Sequence, residues 1–168
     1  MEIKQSVCAP NDDHIMYTIR PARKEDITEI HKLINKTIRI SYPQIYKPRV
    51  VQYFIDHHNL SEIEKRMNDG FFLVLLDFNV IRATGFIDKS ELGGVYVDPE
   101  CQRKGMGSAV VNSLLEYASK HGIKRLFLHS TPTAKHMYDT FGFKVLCKRI
   151  ENICNEPLEY YRMEYLMQ

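Results

Sequence analysis

Apolar residues recur at Ile27, Ile30, Leu33, Ile34 and Ile38, three and four positions apart. That spacing draws one stripe along a helix beginning at about Lys24. Ahead of it, Tyr17–Arg20 reads as a strand that Pro21 ends. Arg39–Lys47 reads as loop, because Tyr42-Pro43 and Tyr46-Lys47-Pro48 interrupt it, and Arg49–Asp56 follows as a short helix. Asn59 with Glu62 three residues on has the form of a capping box, so Leu60–Met67 is a further helix, closed by Gly70. The period then changes. Phe71–Leu76 is unbroken apolar sequence, as in a strand buried on both faces. Turns at Asp77-Phe78-Asn79 and Asp88–Ser90 lead into strands over Val80–Ile87 and Glu91–Val97, an antiparallel meander.

Helical spacing returns at Met106, Val110, Leu114 and Ala118, and His121-Gly122 ends that helix. A strand at Leu126–His129, reached through a helix, is parallel to the strand before it. Thr133–Thr140 is a short helix. Phe143–Glu151 and Tyr160–Met167 are the last strands, joined by a loop holding Asn155, Glu156 and Pro157. Met1–Ile15 is polar and has no clear period, so it is expected to be a flexible tail before one domain over 16–168. The expected fold is a mixed α/β domain, with about seven mostly antiparallel strands and helices on both faces. Gly93-Gly94 within a strand, with Pro99 after it, invites a bulge or a break in pairing.

The chain has 168 residues and is 44% hydrophobic, which suits one domain with a real core. A net charge of +2 provides no broad basic field and argues against nucleic acid as a partner. No apolar run is long enough for a membrane span, and the first residues lack the apolar core of a signal peptide. Cys8, Cys101, Cys147 and Cys154 have neither C-x-x-C nor zinc spacing, so reduced thiols in a cytoplasm are the simplest account. His57-His58 has no third ligand at a recognisable spacing, and no metal site is expected.

The chemistry concentrates between Glu91 and Gly107. Here a strand feeds a glycine-containing turn that opens a helix. The first N–H groups of a helix lack partners within it, and its dipole makes that end positive. Gly105 and Gly107 let the main chain approach a ligand, while Gln102, Arg103 and Lys104 add donors. The expected ligand is an anion, foremost a pyrophosphate. Val110 stands where a dinucleotide-binding fingerprint needs its third glycine, and no Gly-Lys-Ser/Thr of a Walker loop is present. Taken alone, Gly-x-Gly is equally well a plain strand-to-helix turn.

The run Val97, Pro99, Gln102, Gly105, Gly107 resembles the acyl-CoA loop of the GNAT superfamily of N-acyltransferases, and Ala134, Tyr138 and Gly142-Phe143 resemble its later A-x-x-x-Y and G-F motif. The two motifs come in the family's order, and the resemblance runs from about Tyr17 to the C-terminus. It implies a central pair of parallel strands that splay apart to admit acetyl-CoA. It also implies direct transfer of the acetyl group to an amine in a ternary complex. Backbone groups of Val95, Tyr96 and Val97 would hold the pantetheine arm and polarise the thioester. Gln102 to Ser108 (Gln102, Arg103, Lys104, Gly105, Met106, Gly107, Ser108) would wrap the pyrophosphate, with Thr131 and Ala134 beside the cofactor. Thr131 stands where the family often has Asn, which puts that side-chain contact in question.

By the same resemblance Tyr138 is the general acid at the CoA sulfur, and Glu91 is the general base that relieves the acceptor ammonium of its proton, directly or through water. A thiol near pKa ~8.5 and a phenol near ~10 are close enough for the first step, and an alkyl ammonium near ~10.4 needs the second. The alternatives are a core aromatic for Tyr138 and a solvated strand end for Glu91, with Asp88 and Glu151 as lesser bases. His129 and His136 flank the second motif and read first as structural or surface residues. Cys101 beside the loop suggests a covalent acyl-enzyme only if pyrophosphate leaves the helix end free, so direct transfer is preferred. Tyr42, Tyr46, Glu151, Glu156, Tyr160 and Tyr161 are available to an acceptor, either a small-molecule or a protein amine. A CoA-binding sensor or scaffold without catalysis is the competing reading, and a homodimer is left open.

Overall fold

The computed structural model describes residues 3–6 and 16–167. Its elements are β1 (Ile3–Ser6), β2 (Met16–Pro21), α1 (Ile27–Ser41), α2 (Pro48–Asp56), α3 (Leu60–Asp69), β3 (Phe71–Asp77), β4 (Val80–Asp88), β5 (Glu91–Val97), α4 (Met106–Lys120), β6 (Arg125–Ser130), α5 (Lys135–Thr140), β7 (Lys144–Ile153) and β8 (Glu156–Leu166). The strands form one sheet in the order β1-β2-β3-β4-β5-β6-β8-β7. Every neighbouring pair is antiparallel except β5 and β6.

The sheet divides two apolar cores. On one face α4 contributes Val110, Val111 and Leu114, which meet Leu73, Leu75, Leu92 and Leu126. On the other, Ile30, Ile34 and Ile38 of α1 join Val50 of α2, Ile63 of α3 and Phe72, Val74 and Tyr96 of the sheet. β3 serves both cores in alternation, which is why its sequence is an unbroken apolar run. Among the described residues no helix is long and apolar enough to cross a membrane.

Three local expectations change. Residues 3–6, read as part of a tail, pair with β2 as an edge strand, four residues being too few to show a period of two. The rest of that expected tail, residues 1–2 and 7–15, lies outside the described residues. The stretch read as loop from Arg39 is helical through Ser41 and continues as a turn of 3-10 helix over Tyr42–Gln44. Pro43 is tolerated because a first helical turn needs no N–H from it. The expected loop around Pro157 is instead a tight hairpin turn at Cys154-Asn155, both with positive φ as such turns require. Pro157 pairs with Asn152 on one side only, since β6 reaches no further along β8 than Tyr161, so its missing N–H leaves no gap in a ladder.

The expected irregularity at Gly93-Gly94 is present. The β4–β5 register steps from Thr84–Tyr96 to Phe86–Gly93, so Gly94 and Val95 together oppose Gly85. Gly94 has φ +60°, a conformation that glycine adopts without strain.

Candidate active site

β5 and β6 touch at one register pair, Glu91 opposite Phe127, secured by a 2.8 Å bond from the Phe127 N–H to the Ser90 carbonyl. Beyond that point the two strands part, and a cleft of about 1000 Å³ occupies the space. Its walls bring together most of the residues singled out by sequence: Glu91, Val95, Tyr96, Val97, Gln102, Arg103, Gly105, Gly107, Ser108, Thr131, Ala134 and Tyr138. Lys104 is exposed and stands off the cleft wall, and the Met106 side chain is buried in the core, which leaves only its backbone for a ligand.

The glycine loop hangs from a buried carboxylate. Asp98 accepts from Lys36 Nζ at 2.8 Å, Arg82 Nη1 at 2.9 Å and the Glu100 N–H at 3.1 Å. Burial by itself would raise its pKa, but bonds from Lys36, the Glu100 backbone and Arg82 outweigh that and hold it below the usual carboxylate range. Gln102 Nε2 donates to the Val97 carbonyl at 3.2 Å, and the Thr37 hydroxyl, whose one proton is shared with the Leu33 carbonyl at 2.9 Å, lies 3.2 Å from the same oxygen, so α1, the end of β5 and the loop form one assembly. That carbonyl, expected to serve the pantetheine arm, is thus already engaged. Gly105 has φ +80°, and a Cβ built on it would meet nothing within 4 Å: the loop is shaped around open space at the mouth of α4. Gly107 differs. A Cβ there would press on Met137 Sδ at 3.3 Å and Val97 at 3.4 Å, so this glycine serves packing between α4 and α5.

Tyr138 projects from α5 with 6% of its surface exposed, its ring edge-on to Phe143 at 5.7 Å. Burial, then the neighbouring Tyr42, raises its pKa well above the ordinary tyrosine value, so it is a neutral O–H at the cleft wall. Glu91 is 58% exposed, and one carboxylate oxygen lies 3.6 Å from His129 Nδ1. The His129 ring is edge-on to Tyr160, whose hydroxyl donates to Glu151. Two carboxylates, an imidazole and a phenol therefore rim one side of the opening. Thr131 Oγ1 accepts the Ala134 N–H at 3.3 Å and organises the turn into α5.

Of the acceptor-side candidates, Tyr42, Tyr46, Glu151 and Tyr160 line the cleft, as does Asp88. Glu156 instead accepts the Arg49 N–H at 2.9 Å, and Tyr161 lies between Lys135 and Lys148. Among the described residues no group of three or more His, Cys, Asp or Glu is placed to hold a metal. Sequence reasoning missed the contact of Lys36 with Asp98, 62 positions apart, and a half-buried chain from Tyr42 through Tyr96 to His58. Nothing local marks either, because each is made by α1 or α2 lying on the sheet.

Residues 42–166 match the family model for the acetyltransferase (GNAT) domain. An uncharacterized N-acetyltransferase of Methanocaldococcus jannaschii is 30% identical over 118 residues, 63% of this chain and 50% of that one. The ribosomal protein bS18-alanine N-acetyltransferase of Escherichia coli is 33% identical over 60 residues, 34% of this chain and 40% of its own. The chain thus spans half or less of these relatives' length. A GCN5-related N-acetyltransferase structure from Rhodopseudomonas palustris superposes with a TM-score of 0.81 at 15% identity, covering 89% of this chain and 94% of that one. The PaiA N-acetyltransferase of Thermoplasma acidophilum, in complex with coenzyme A, gives 0.74 at 19% identity, covering 90% and 99%. Similarity at such identities speaks for the fold, and the domain match extends over most of the chain, so this protein belongs to the GNAT acetyltransferase family.

Proposed function

We propose that the chain is an acetyl-CoA-dependent N-acetyltransferase working by direct transfer to an amine. The observation that carries this reading is the meeting, in one cleft, of an anion-ready helix mouth and the buried neutral hydroxyl of Tyr138 at the gap between β5 and β6. The opening N–H groups of α4, with Arg103 and Gln102, are suited to a pyrophosphate. The bulge at Gly94-Val95 frees backbone groups of β5 from the regular ladder, where they are available to the pantetheine arm and thioester. Acetyl-CoA supplies the activated acyl group. Glu91, with His129 behind it, draws the proton from the amine, and Tyr138 gives its proton to the departing sulfur.

The test is release of free CoA from acetyl-CoA with four acceptors: an alanyl peptide, a lysyl peptide, spermidine and an aminoglycoside. At least one should turn over. Tyr138→Phe keeps the ring and removes the donor, so turnover should fall on the order of 10²-fold, with acetyl-CoA affinity within a few-fold. CoA binding without release for any acceptor would favour a scaffold. A Phe variant as fast as wild type would return Tyr138 to the core.

A further inference from the structure

His57-His58 follows α2 and has no place in the mechanism above, yet the His58 ring lines the same cleft. Its Nδ1 lies 2.7 Å from the Phe54 carbonyl oxygen. A carbonyl only accepts, so Nδ1 carries the proton, and the neutral imidazole presents a bare Nε2. Burial is the first cause of that neutral state, taking the His58 pKa down to about 4. Nε2 is 3.1 Å from the Tyr96 hydroxyl. The tautomer therefore dictates direction: the Tyr96 O–H donates to His58, and its one proton is committed. Burial pushes the Tyr96 phenol up to about 12, so it keeps that proton at neutral pH. The Tyr96 oxygen accepts from the Tyr42 hydroxyl over a long 3.5 Å contact, which leaves its second lone pair for the cleft.

The position of this oxygen follows from the bulge. Residues 91 and 96 are an odd number apart and would face opposite sides of a regular strand. The extra residue at Gly94 restores them to one side, while Leu92 and Val95 both enter the α4 core. Glu91, Tyr96 and Tyr138 thus meet at one cleft.

We propose that Tyr96, held as a hydrogen-bond acceptor by His58, receives an N–H of the incoming amine and aims its nitrogen at the thioester. His58 is then a positioning residue that acts through Tyr96. The two tyrosines have opposite polarity: Tyr138 offers a proton to the sulfur, and Tyr96 offers a lone pair to the nitrogen. This role rests on the acyl-transfer reading.

Tyr96→Phe should raise the KM of the fastest of the four acceptors about tenfold, with the acetyl-CoA KM within twofold. His58→Phe should do the same, because Tyr96 is then free to turn its proton to the cleft, and the double variant should be no worse than either. His58→Gln, whose side-chain carbonyl accepts, should recover most of the loss. Proton–nitrogen correlation spectra of the wild-type imidazole should show Nδ1 protonated and Nε2 bare. Acceptor KM unchanged in Tyr96→Phe, equal rises for both substrates, or the opposite tautomer would overturn the proposal. Wild type inert toward all four amines would overturn acyl transfer itself, and the role of Tyr96 with it.

Discussion

Glu91, the proposed base, is more than half open to water, with His129 Nδ1 3.6 Å from one of its carboxylate oxygens. Glu91→Gln should slow turnover near neutral pH and recover partly as the medium becomes more alkaline, since the free-amine fraction of the acceptor grows tenfold per pH unit below its pKa. Steady-state rates across that range check this, and superimposable profiles would place the base elsewhere. His58 yields a prediction about stability. Burial foremost, with repulsion from Arg66 and His57, lowers its pKa from 6.5 to about 4, against the pull of the Phe54 carbonyl. Between those values the unfolded chain binds a proton that the folded one refuses. Stability should therefore fall as pH drops through that window, by up to about 1.4 kcal/mol per pH unit, with no further His58 contribution below it. His58→Gln should remove that slope; denaturant midpoints for both proteins read it directly, and parallel curves would refute it.

Among the elements, β5 carries a bulge that puts Glu91 and Tyr96 on one side of the strand. A β-strand alternates strictly, and alternation would separate Glu91 from Tyr96. A Cβ at Gly94 would sit at φ +60°, 2.6 Å from the Phe86 ring. Gly94→Ala should cost about 1–3 kcal/mol by denaturant unfolding, and turnover should fall further than stability accounts for, because the bulge also sets which side chains face the cleft. An unchanged midpoint would show that the strand relaxes without cost. α1 has a comparable office at the other end of β5. Lys36 and Thr37 bring it against Asp98 and Val97, so the helix that borders the cleft also steadies the glycine loop.

For the whole molecule, the parted strands invite a ligand that bridges them. CoA at a hundredfold excess over its dissociation constant should stabilise the fold by about 2.7 kcal/mol, roughly 5–10 °C in melting temperature for a domain of this size. Gly105→Val fills the open space at the loop and should lose most of that shift, whereas an equal shift would remove the loop from the binding site. Much of this architecture was legible in the chain. The period-two and period-3.6 stretches place most helices and strands, because apolar spacing is a local consequence of having one buried face. The glycine loop and Tyr138 stand out because backbone conformation and motif spacing are local too, and Gly93-Gly94 announced a bulge. The use of that bulge was not legible: which face Glu91 and Tyr96 share depends on pairing with β4. Nor was the short edge strand β1, whose form comes from its partner. The partnerships of Asp98 with Lys36 and Arg82, of His129 with Glu91, and of His58 with Tyr96 arise only when helices close over the sheet. Hydrogen bonds between side chains distant in sequence carry no periodic signature, so tertiary structure alone decided them.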